Sequence, residues 1–151
     1  MRGNKFRVWD RKDKTLKEVQ EIRWDRDGRI IHLVLDNKDL TSDKITKYGI
    51  SNVKMMQYTG LKDCEGQEIY EGDVVEVDTL AIEHYNKKVK GEIKKVDGCY
   101  TVEFFQPVYD VEKEINRNRL YLKCFTINRA AKIIGNKYEN PELLEGVNNV
   151  S

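Results

Sequence analysis

Three evenly spaced glycines in the middle of the chain constrain its fold more than any other feature. Gly60, Gly66 and Gly72 follow one another at intervals of six residues. Glycine is favoured where the backbone must adopt a positive φ or pass close to another segment. Residues suited to strands lie between and after these glycines, namely Ile69, Val74, Val75 and Val77. The stretch 56–75, which we call the hub, therefore predicts a strand, a tight connection and a second strand in a small β domain.

Asp73 follows the last of these glycines and is predicted to support the bend there. A short carboxylate at a bend can accept hydrogen bonds from neighbouring backbone amides. The glycine pattern does not match a phosphate-binding loop, because no Gly-Lys-Ser/Thr ends it and no Gly-x-Gly-x-x-Gly is present. Gly60, Gly66, Gly72 and Asp73 are therefore interpreted as architectural residues, present for backbone geometry and not to hold a ligand.

Two hairpins are predicted, one on each side of the hub. Each has a turn containing Asp and Gly between stretches of β-forming residues, which is a strong hairpin signal. The first turn is 25–28, with the sequence Asp-Arg-Asp-Gly, and the second is Asp97-Gly98. About eight or nine strands are expected. They are predicted at 5–9, 19–24, 29–35, 52–58, 69–70 continuing into 74–77 as one strand, 89–96, 100–105, 120–125 and 131–134, with a further turn at 63–66.

The remaining segments have weaker patterns. Residues 36–42 are polar and predicted to be a loop, and 79–88 is predicted to be the longest loop. Pro107 is expected to end its strand or place it at a sheet edge, because proline cannot donate to a ladder. Residues 112–119 are charged and fit either a helix or a loop. In 140–146, Asn then Pro at the start and Gly after the end predict a helix of one or two turns.

The hub resembles the signature of the YopX family of bacteriophage and prophage proteins. The resemblance lies in 57–63, Gln-Tyr-Thr-Gly-Leu-Lys-Asp, and in 70–75, Tyr-Glu-Gly-Asp-Val-Val. Residues 5–10 resemble the opening of the family and 134–144 its ending, so the match covers nearly the whole chain. Departures are local, at Cys64-Glu65 and at Lys137, and do not affect the expected fold.

The resemblance implies a fold and an origin, but it implies no established activity. The family is assigned to SH3-type β-barrels, in which a Gly-Asp pair such as Gly72-Asp73 marks the bend into a long strand. The expected fold is mainly β, an SH3-like barrel with additional β-hairpins and a short C-terminal helix. The expected organisation is one YopX-like domain over 1–151, with the barrel centred on 53–140 and N-terminal strands within 4–35 packed on it.

The composition indicates a globular chain with a heavily charged surface. It has 151 residues, of which 39% are hydrophobic and 35% charged. No stretch approaches the roughly 20 apolar residues of a membrane span, and no apolar secretory segment is visible near the start. The predicted location is the cytoplasm of a bacterial host, with no membrane partner.

The charges are unevenly distributed although the net charge is only +1. Residues 1–47 carry 13 Lys/Arg and 9 Asp/Glu, a difference of +4, whereas residues 55–78 carry 1 Lys and 7 acids, a difference of −6. Such a split can steer a protein partner or a second copy of the chain, and it also fits a simple solvated surface. A net charge near zero removes the simplest electrostatic case for binding nucleic acid.

No catalytic or metal-binding template fits the sequence. Cys64, Cys99 and Cys124 are widely separated, without the paired spacing of a zinc site. His32 lies in an apolar strand and is interpreted as a hydrogen-bonded or edge histidine. His84 has no second histidine at helical spacing, which excludes His-Glu-x-x-His chemistry. We therefore predict no catalytic residues, no metal, no cofactor and no enzymatic activity.

The predicted function is that of a non-enzymatic phage or prophage accessory protein that binds protein and self-assembles. The expected partners are further copies of the chain and a host or phage protein, because small β domains offer strand edges and grooves. The alternative is non-specific or single-stranded nucleic-acid binding, with aromatic residues stacking on bases and lysines following phosphate. Trp9 is expected either to cap an end of the barrel or to lie on the exposed phase of its strand. The candidate binding surface comprises Trp9, Tyr58, Lys62, Tyr70 and Tyr138.

Overall fold

A computed structural model describes seven stretches of the chain, and all statements below concern these residues. They are 4–36, 38–42, 44, 53–78, 88–110, 115–121 and 129–145. The chain divides into two compact units, Met1–Gln57 and Tyr58–Ser151. The expected single domain over 1–151 stays a prediction, and each unit is described here by itself.

The first unit is an antiparallel sheet of five strands in the order β4-β3-β2-β1-β5. β5 is the strand that runs on into the second unit, and only its residues up to Gln57 pair with β1. The strands are β1 Phe6–Asp10, β2 Thr15–Trp24, β3 Ile30–Leu35, β4 Lys38–Thr41 and β5 Val53–Lys62. The buried core of this unit consists of Val8, Leu33, Leu35 and Leu40, with Val19, Ile22, Ile30, Val53 and Met55 packed against it.

The second unit contains the rest of β5, six more strands and a short helix. Tyr58 and Lys62 of β5 pair with Tyr70 and Glu68 of β6, and the other strands form a five-stranded antiparallel sheet in the order β10-β9-β8-β7-β11. The elements are β6 Glu68–Tyr70, β7 Asp73–Asp78, β8 Lys88–Val96, β9 Cys99–Asp110, β10 Ile115–Tyr121, β11 Ala131–Asn136 and α1 Glu142–Glu145.

The core of the second unit lies on one face of this sheet. Alternate residues of the strands point into it, and Val74, Glu92 and Thr101 on the opposite face are buried as well. Its buried members are Leu61, Ile69, Val75, Val77, Ile93, Val102, Phe104, Ala130 and Ala131. Gly91 of β8 faces this side, and a Cβ there would lie 2.6 Å from both the carbonyl oxygen of Glu103 and a methyl group of Val102. β8 and β9 therefore approach each other too closely at Gly91 for any larger residue.

Both hairpins predicted from the sequence are confirmed. Gly28 ends the first turn with φ of 78°, and its N–H donates to the carbonyl of Asp25. Asp97 and Gly98 both have positive φ, at 50° and 79°, which is the geometry of a two-residue type I′ turn. The aspartate and glycine residues were therefore reliable signals of local backbone geometry.

Two predictions about weaker segments were wrong. Residues 38–41, placed within a predicted loop, form β4, because Leu40 is buried in the core and Asp39 receives a contact from His32 at 3.1 Å. The stretch 112–119 was left between helix and loop, whereas 115–121 is the strand β10. Both segments pair with a neighbouring strand, and such pairing overrides a polar local composition.

Pro107 does not end β9, which continues to Asp110. The registers pair Glu103 with Arg119 and Val108 with Arg117, so the four residues 104–107 lie opposite the single residue 118. Pro107 therefore falls inside a bulge, and the pairs with β8 stop at Phe104. A bulge paired on one side needs no N–H donor from this residue, which is why proline is tolerated there.

The mainly β class is confirmed, but the closed SH3-like barrel is not. The described strands form open antiparallel sheets, with β10 and β11 at the two edges of the five-stranded one. The predicted terminal helix is present as α1, where the N–H of Leu143 donates to the carbonyl of Asn140. Of the predicted loop 79–88, residues 79–87 lie outside the described residues, whereas Lys88 begins β8. Residues 122–125 and Gly146 also lie outside the described residues. In the part of the chain that is described, no helix has the length and apolar character needed to cross a bilayer.

Candidate functional site

The three hub glycines have the backbone conformation that the sequence predicted. Gly60, Gly66 and Gly72 have φ of 84°, 82° and 89°. This left-handed region is accessible to glycine and costs other residues about 1–2 kcal/mol. Each glycine therefore marks a point where the backbone changes course, which supports the architectural interpretation of the hub.

Asp63 organises the first turn of the hub and is almost fully buried. One carboxylate oxygen accepts hydrogen bonds from the N–H groups of Glu65 and Gln67, both at 2.9 Å. The backbone closes the same turn, since the N–H of Asp63 donates to the carbonyl of Gln67 at 2.8 Å. A carboxylate that accepts two amide protons satisfies donors that a turn would otherwise leave exposed or unpaired.

The second carboxylate oxygen of Asp63 bonds to the edge strand β11. It accepts the N–H of Ile133 at 3.0 Å, and the N–H of Cys64 donates to the carbonyl of Ala131 at 2.8 Å. These two bonds use backbone groups of β11 on the side away from β7. The turn therefore covers part of an edge that would otherwise be open to another strand. Sequence analysis placed this turn but did not identify Asp63 as a residue of the site, because its partner is distant in sequence.

The second bend of the hub joins three segments through Gly72 and Asp73. A carboxylate oxygen of Asp73, which is 1% exposed, accepts the N–H of Tyr70 at 2.8 Å. The predicted bond from this side chain to a backbone amide at the bend is therefore confirmed. The N–H of Gly72 donates to the carbonyl of Ile93, and the carbonyl of Gly72 accepts from Lys137. The bend thus bonds to β8 and to the segment after β11.

Three of the predicted binding residues come together on the β5–β6 ribbon. The rings of Tyr58 and Tyr70 are 5.5 Å apart, and their Cα atoms are direct partners. Tyr70 is buried, with its hydroxyl donating to Glu68 at 3.3 Å, whereas Lys62 is exposed opposite Glu68. Because Tyr70 packs in the interior, this pair does not offer two free ring faces for base stacking.

Tyr138 lies in the C-terminal segment, which is held by Asn136. The side-chain oxygen of Asn136 accepts the N–H groups of Tyr138 and Glu139, at 3.0 and 2.9 Å. The ammonium group of Lys137 lies 5.2 Å from the centre of the Tyr138 ring. A cation over the ring occupies the face that a nucleobase would use. Tyr138 is half-buried, and the segment is tied to its own unit.

The expectation that Trp9 is exposed was wrong. Its exposed fraction is 8%, and its neighbours Val8 and Asp10 in β1 are buried as well. β1 is paired on both sides, with β2 and β5, and consecutive buried residues mean that both of its faces are covered. Alternation along a strand predicts exposure only when one face is open to solvent, so the assumption of one open face caused the error.

Sequence analysis missed the side chains that are exposed and apolar. Trp24 is 51% exposed and Ile31 is 38% exposed, and they are the large hydrophobic residues on the surface of the described part of the chain. Trp24 pairs with Ile30, and the register shifts between Arg23 and Trp24. Because of this bulge, the alternation of side chains between the two faces of the sheet shifts by one residue beside the turn. We call Trp24 and Ile31 the hairpin patch. A bulge of this kind leaves no signal in the hydrophobic pattern.

Histidine and cysteine residues in the described regions do not assemble into a reactive centre. His32 contacts the carboxylate of Asp39 across β3 and β4 at 3.1 Å, in agreement with the first of its two interpretations, a hydrogen-bonded histidine. It is not at an edge, because β3 is paired on both sides. Cys64 and Cys99 are free and exposed. Groups of three or more His, Cys, Asp or Glu side chains placed to hold a metal are absent from the described residues. His84 and Cys124 lie outside them.

The titration of Tyr100 is altered by its surroundings. Burial of its hydroxyl raises the pKa of Tyr100, and the negative charge of Glu71 adds to the effect. The hydroxyl is buried without a hydrogen-bond partner, and the ammonium group of Lys95 lies 5.6 Å from the ring centre. The tyrosine therefore behaves as a packed residue of the second unit.

The sequence matches the family model described as YopX protein over residues 5–145. The chain belongs to the YopX family. The crystal structure of protein EF1440 from Enterococcus faecalis is similar to this YopX-family chain, with a TM-score of 0.64 and 28% identity over 96% of this chain and 100% of that one. The crystal structure of yopX from Bacillus subtilis has a TM-score of 0.57 and 20% identity over 93% of this chain and 98% of that one, which shows a shared fold alone. No curated protein matches the chain.

Proposed function

We propose that this YopX-family protein is a non-enzymatic module that binds protein and assembles with copies of itself. The observation that carries the proposal is the hairpin patch. Trp24 is half exposed and Ile31 of the facing strand is exposed as well, and apolar surface left in water costs free energy. Tryptophan is also enriched among the residues that dominate protein interfaces. Covering the patch with another protein surface removes this cost.

The charges around the patch favour a second copy of the chain as its partner. Positive and negative side chains alternate closely along the hairpin and balance in number, so the surface is complementary to itself under a two-fold rotation. The positive residues are Arg23, Arg26 and Arg29, and the negative residues are Glu21, Asp25 and Asp27. Arg23 bonds Glu21 at 2.9 Å and Arg29 bonds Asp27 at 3.1 Å within one chain. These exposed pairs can exchange partners across a dimer at little cost.

Other parts of the proposal rest on the order of the strands and on family membership. An SH3-type relationship for the second unit is supported by the consecutive strands β7, β8 and β9 and by the hub turn, which bonds to the outer edge of β11. Membership of the YopX family supports a phage or prophage origin and a role inside the bacterial host. A further protein partner from host or phage belongs to the same proposal, with the hairpin patch as its contact surface.

The test compares the assembly state of the natural chain with that of Trp24→Ser. Sedimentation velocity over a range of protein concentrations should show a multimer for the natural chain. Trp24→Ser should shift it towards the monomer, because the change removes the apolar contact while leaving the core intact. Gln20→Ser, on the same strand and also exposed, is the matched control and should leave the assembly unchanged. A natural chain that is monomeric at all concentrations would contradict self-assembly.

Salt dependence separates this proposal from nucleic-acid binding. A labelled single-stranded oligonucleotide should show no saturable binding at micromolar protein. If it binds at low salt, with an affinity that falls steeply as ionic strength rises, phosphate contacts dominate and the alternative replaces the proposal. The buried Tyr70 and the lysines placed over Tyr100 and Tyr138 make the first outcome the expected one.

A further inference from the structure

The β2–β3 hairpin extends beyond β1 and leaves part of one edge of β2 open. β1 pairs with the start of β2, Thr15–Glu18, and within the described residues no strand pairs with β2 beyond Glu18 on that side. From Glu21 to Trp24, β2 pairs with β3 alone. The backbone N–H and C=O groups of an unpaired strand edge are a template on which another strand can pair. The open stretch of β2 is therefore a surface suited to strand addition.

The side chains of this open stretch divide into an apolar face and a charged face. Ile22 packs against the core of the first unit, as does Ile30, which pairs with Trp24. The extra residue at the register shift beside Trp24 belongs to β3, so the alternation along β2 is unbroken and Trp24 shares the face of Ile22. Glu21 and Arg23 lie on the opposite face, where both are exposed and 2.9 Å apart. The open edge thus carries an apolar pair and an ion pair on its two faces.

The order of these side chains makes the edge complementary to the same edge of a second copy. A two-fold axis perpendicular to the sheet pairs the two β2 strands antiparallel and keeps each face on its own side. Directly opposite residues then share a face, so the pairing is centred on Glu21, Ile22 or Arg23. Centring on Glu21 or Arg23 sets two like charges opposite each other, which is unfavourable. Centring on Ile22 instead sets Glu21 of each copy opposite Arg23 of the other.

We propose that two copies of the chain join edge to edge through β2, with Ile22 opposite Ile22 and each Glu21 opposite Arg23 of the other copy. This inference rests on the proposed self-assembly and names the contact through which it occurs. On the apolar face, Trp24 lies diagonally across from Ile22 of the other copy, a separation that an aromatic ring can span. The pairing therefore covers part of the hairpin patch and bonds backbone groups that otherwise face solvent.

Charge reversal along this edge, followed by sedimentation velocity on the full chain, tests the pairing. Glu21→Arg sets arginines opposite each other on both sides of the axis, and Arg23→Glu sets glutamates opposite each other. Each variant alone should raise the dissociation constant of the dimer about tenfold or more, because two attractive pairs become repulsive. An equimolar mixture of the two variants should assemble like the natural chain, since one copy is then basic and the other acidic. The double variant Glu21→Arg with Arg23→Glu should assemble as well.

The outcomes separate this pairing from self-assembly in general. Lys95→Glu, a charge reversal at an exposed residue of the second unit, is the matched control and should leave the assembly unchanged. A natural chain that is monomeric at all concentrations overturns both proposals. If the natural chain assembles and Trp24→Ser disperses it, but both charge variants assemble normally, the hairpin patch is a contact and the edge pairing is overturned. Weakening in each variant without recovery in the mixture overturns the register centred on Ile22.

Discussion

The turn at Asp25 and the turn at Asp63 have the same internal structure but different surroundings. In each, an aspartate carboxylate oxygen accepts the N–H groups two and four residues later, at 2.9 Å in all four cases. In each, the glycine three residues later donates to the aspartate carbonyl at 3.1 Å and has a φ near 80°. Both are therefore three-residue hairpin loops with glycine in the left-handed position.

The difference lies in what the second carboxylate oxygen contacts. In the first turn, Asp25 Oδ2 lies 3.9 Å from the Arg29 guanidinium, an exposed pair. In the second, Asp63 Oδ2 accepts the N–H of Ile133, and the side chain is buried. The same local motif thus forms an exposed loop in the first unit, whereas in the second unit it bonds the hub to the edge strand β11. Local sequence specifies the turn, whereas tertiary partners decide how much stability depends on it.

Replacing each aspartate by alanine should separate the two turns most strongly. Asp63→Ala removes three acceptor contacts and leaves a buried N–H of Ile133 unpaired, so it should lower the free energy of unfolding by about 2–4 kcal/mol. Asp25→Ala, the matched control, affects an exposed turn and should cost about 1 kcal/mol. Urea denaturation of both variants measures the difference. Equal losses would show that the contact to β11 contributes nothing.

Asparagine substitutions isolate the second oxygen. Asn keeps one carbonyl oxygen for the turn amides but presents an NH₂ group in place of the other oxygen. Asp63→Asn should therefore cost about 1–3 kcal/mol and speed amide hydrogen exchange at Ile133. Asp25→Asn should change stability by less than about 0.5 kcal/mol. Unchanged exchange at Ile133 in Asp63→Asn would contradict the role assigned to the Asp63–Ile133 bond.

The two glycines should respond alike, in contrast to the two aspartates. Gly28 and Gly66 both have positive φ, and a Cβ on either would have no heavy atom within 4 Å. The cost of alanine is then backbone strain alone, about 1–2 kcal/mol at each position. Thermal or urea denaturation of Gly28→Ala and Gly66→Ala checks this. A much larger loss of stability in Gly66→Ala would mean that the contact between Asp63 and β11 also depends on the glycine.

Alkaline pH should weaken the unit that contains the buried turn. The raised pKa of Tyr100 means that the folded chain keeps this proton when the unfolded chain has lost it. The contribution is fully present below the unfolded pKa of about 10 and is lost as pH rises through the folded pKa. Tyr100→Phe should remove this part of the alkaline decline in the free energy of unfolding. If the free energy of unfolding declines identically in Tyr100→Phe and in the natural chain, Tyr100 does not contribute to the alkaline loss of stability.

Exchanging the middle residues of the two turns should have the smallest effect. The pairs Arg26-Asp27 and Cys64-Glu65 are exposed. Their ion pairs, Asp27 with Arg29 at 3.1 Å and Glu65 with Lys132 at 3.3 Å, lie at the surface and contribute little. Arg26→Cys with Asp27→Glu, and Cys64→Arg with Glu65→Asp, should each change stability by less than about 0.5 kcal/mol. A large loss in the second exchange alone would show that side chains of the hub turn contribute beyond its backbone and Asp63.

The sequence predicted local backbone geometry well and long-range burial poorly. Gly66 and Gly72 were identified because positive φ is a requirement of a single residue. The burial of Trp9 and the exposure of Trp24 depend on which strands lie beside theirs and on one bulge. β4 was missed for the same reason, since its short polar segment becomes a strand only by pairing with β3.

The candidate site shows the same difference between contacts close in sequence, which could be predicted, and contacts distant in sequence, which could not. Asp73 was predicted to bond a nearby amide, and its partner Tyr70 lies three residues away. Asp63 was not singled out, because Ile133 lies 70 residues away and no local sequence pattern indicates that contact.

The separation between Asp63 and Ile133 has a consequence for the order of folding. The turn itself needs only five consecutive residues, so it can form while the chain is still being synthesised. The bond to Ile133 must wait for 70 more residues and requires a long loop to close. During that interval the nascent chain carries a formed hairpin in which the carboxylate of Asp63 is still exposed to water. The carboxylate becomes buried only when the rest of the fold is complete.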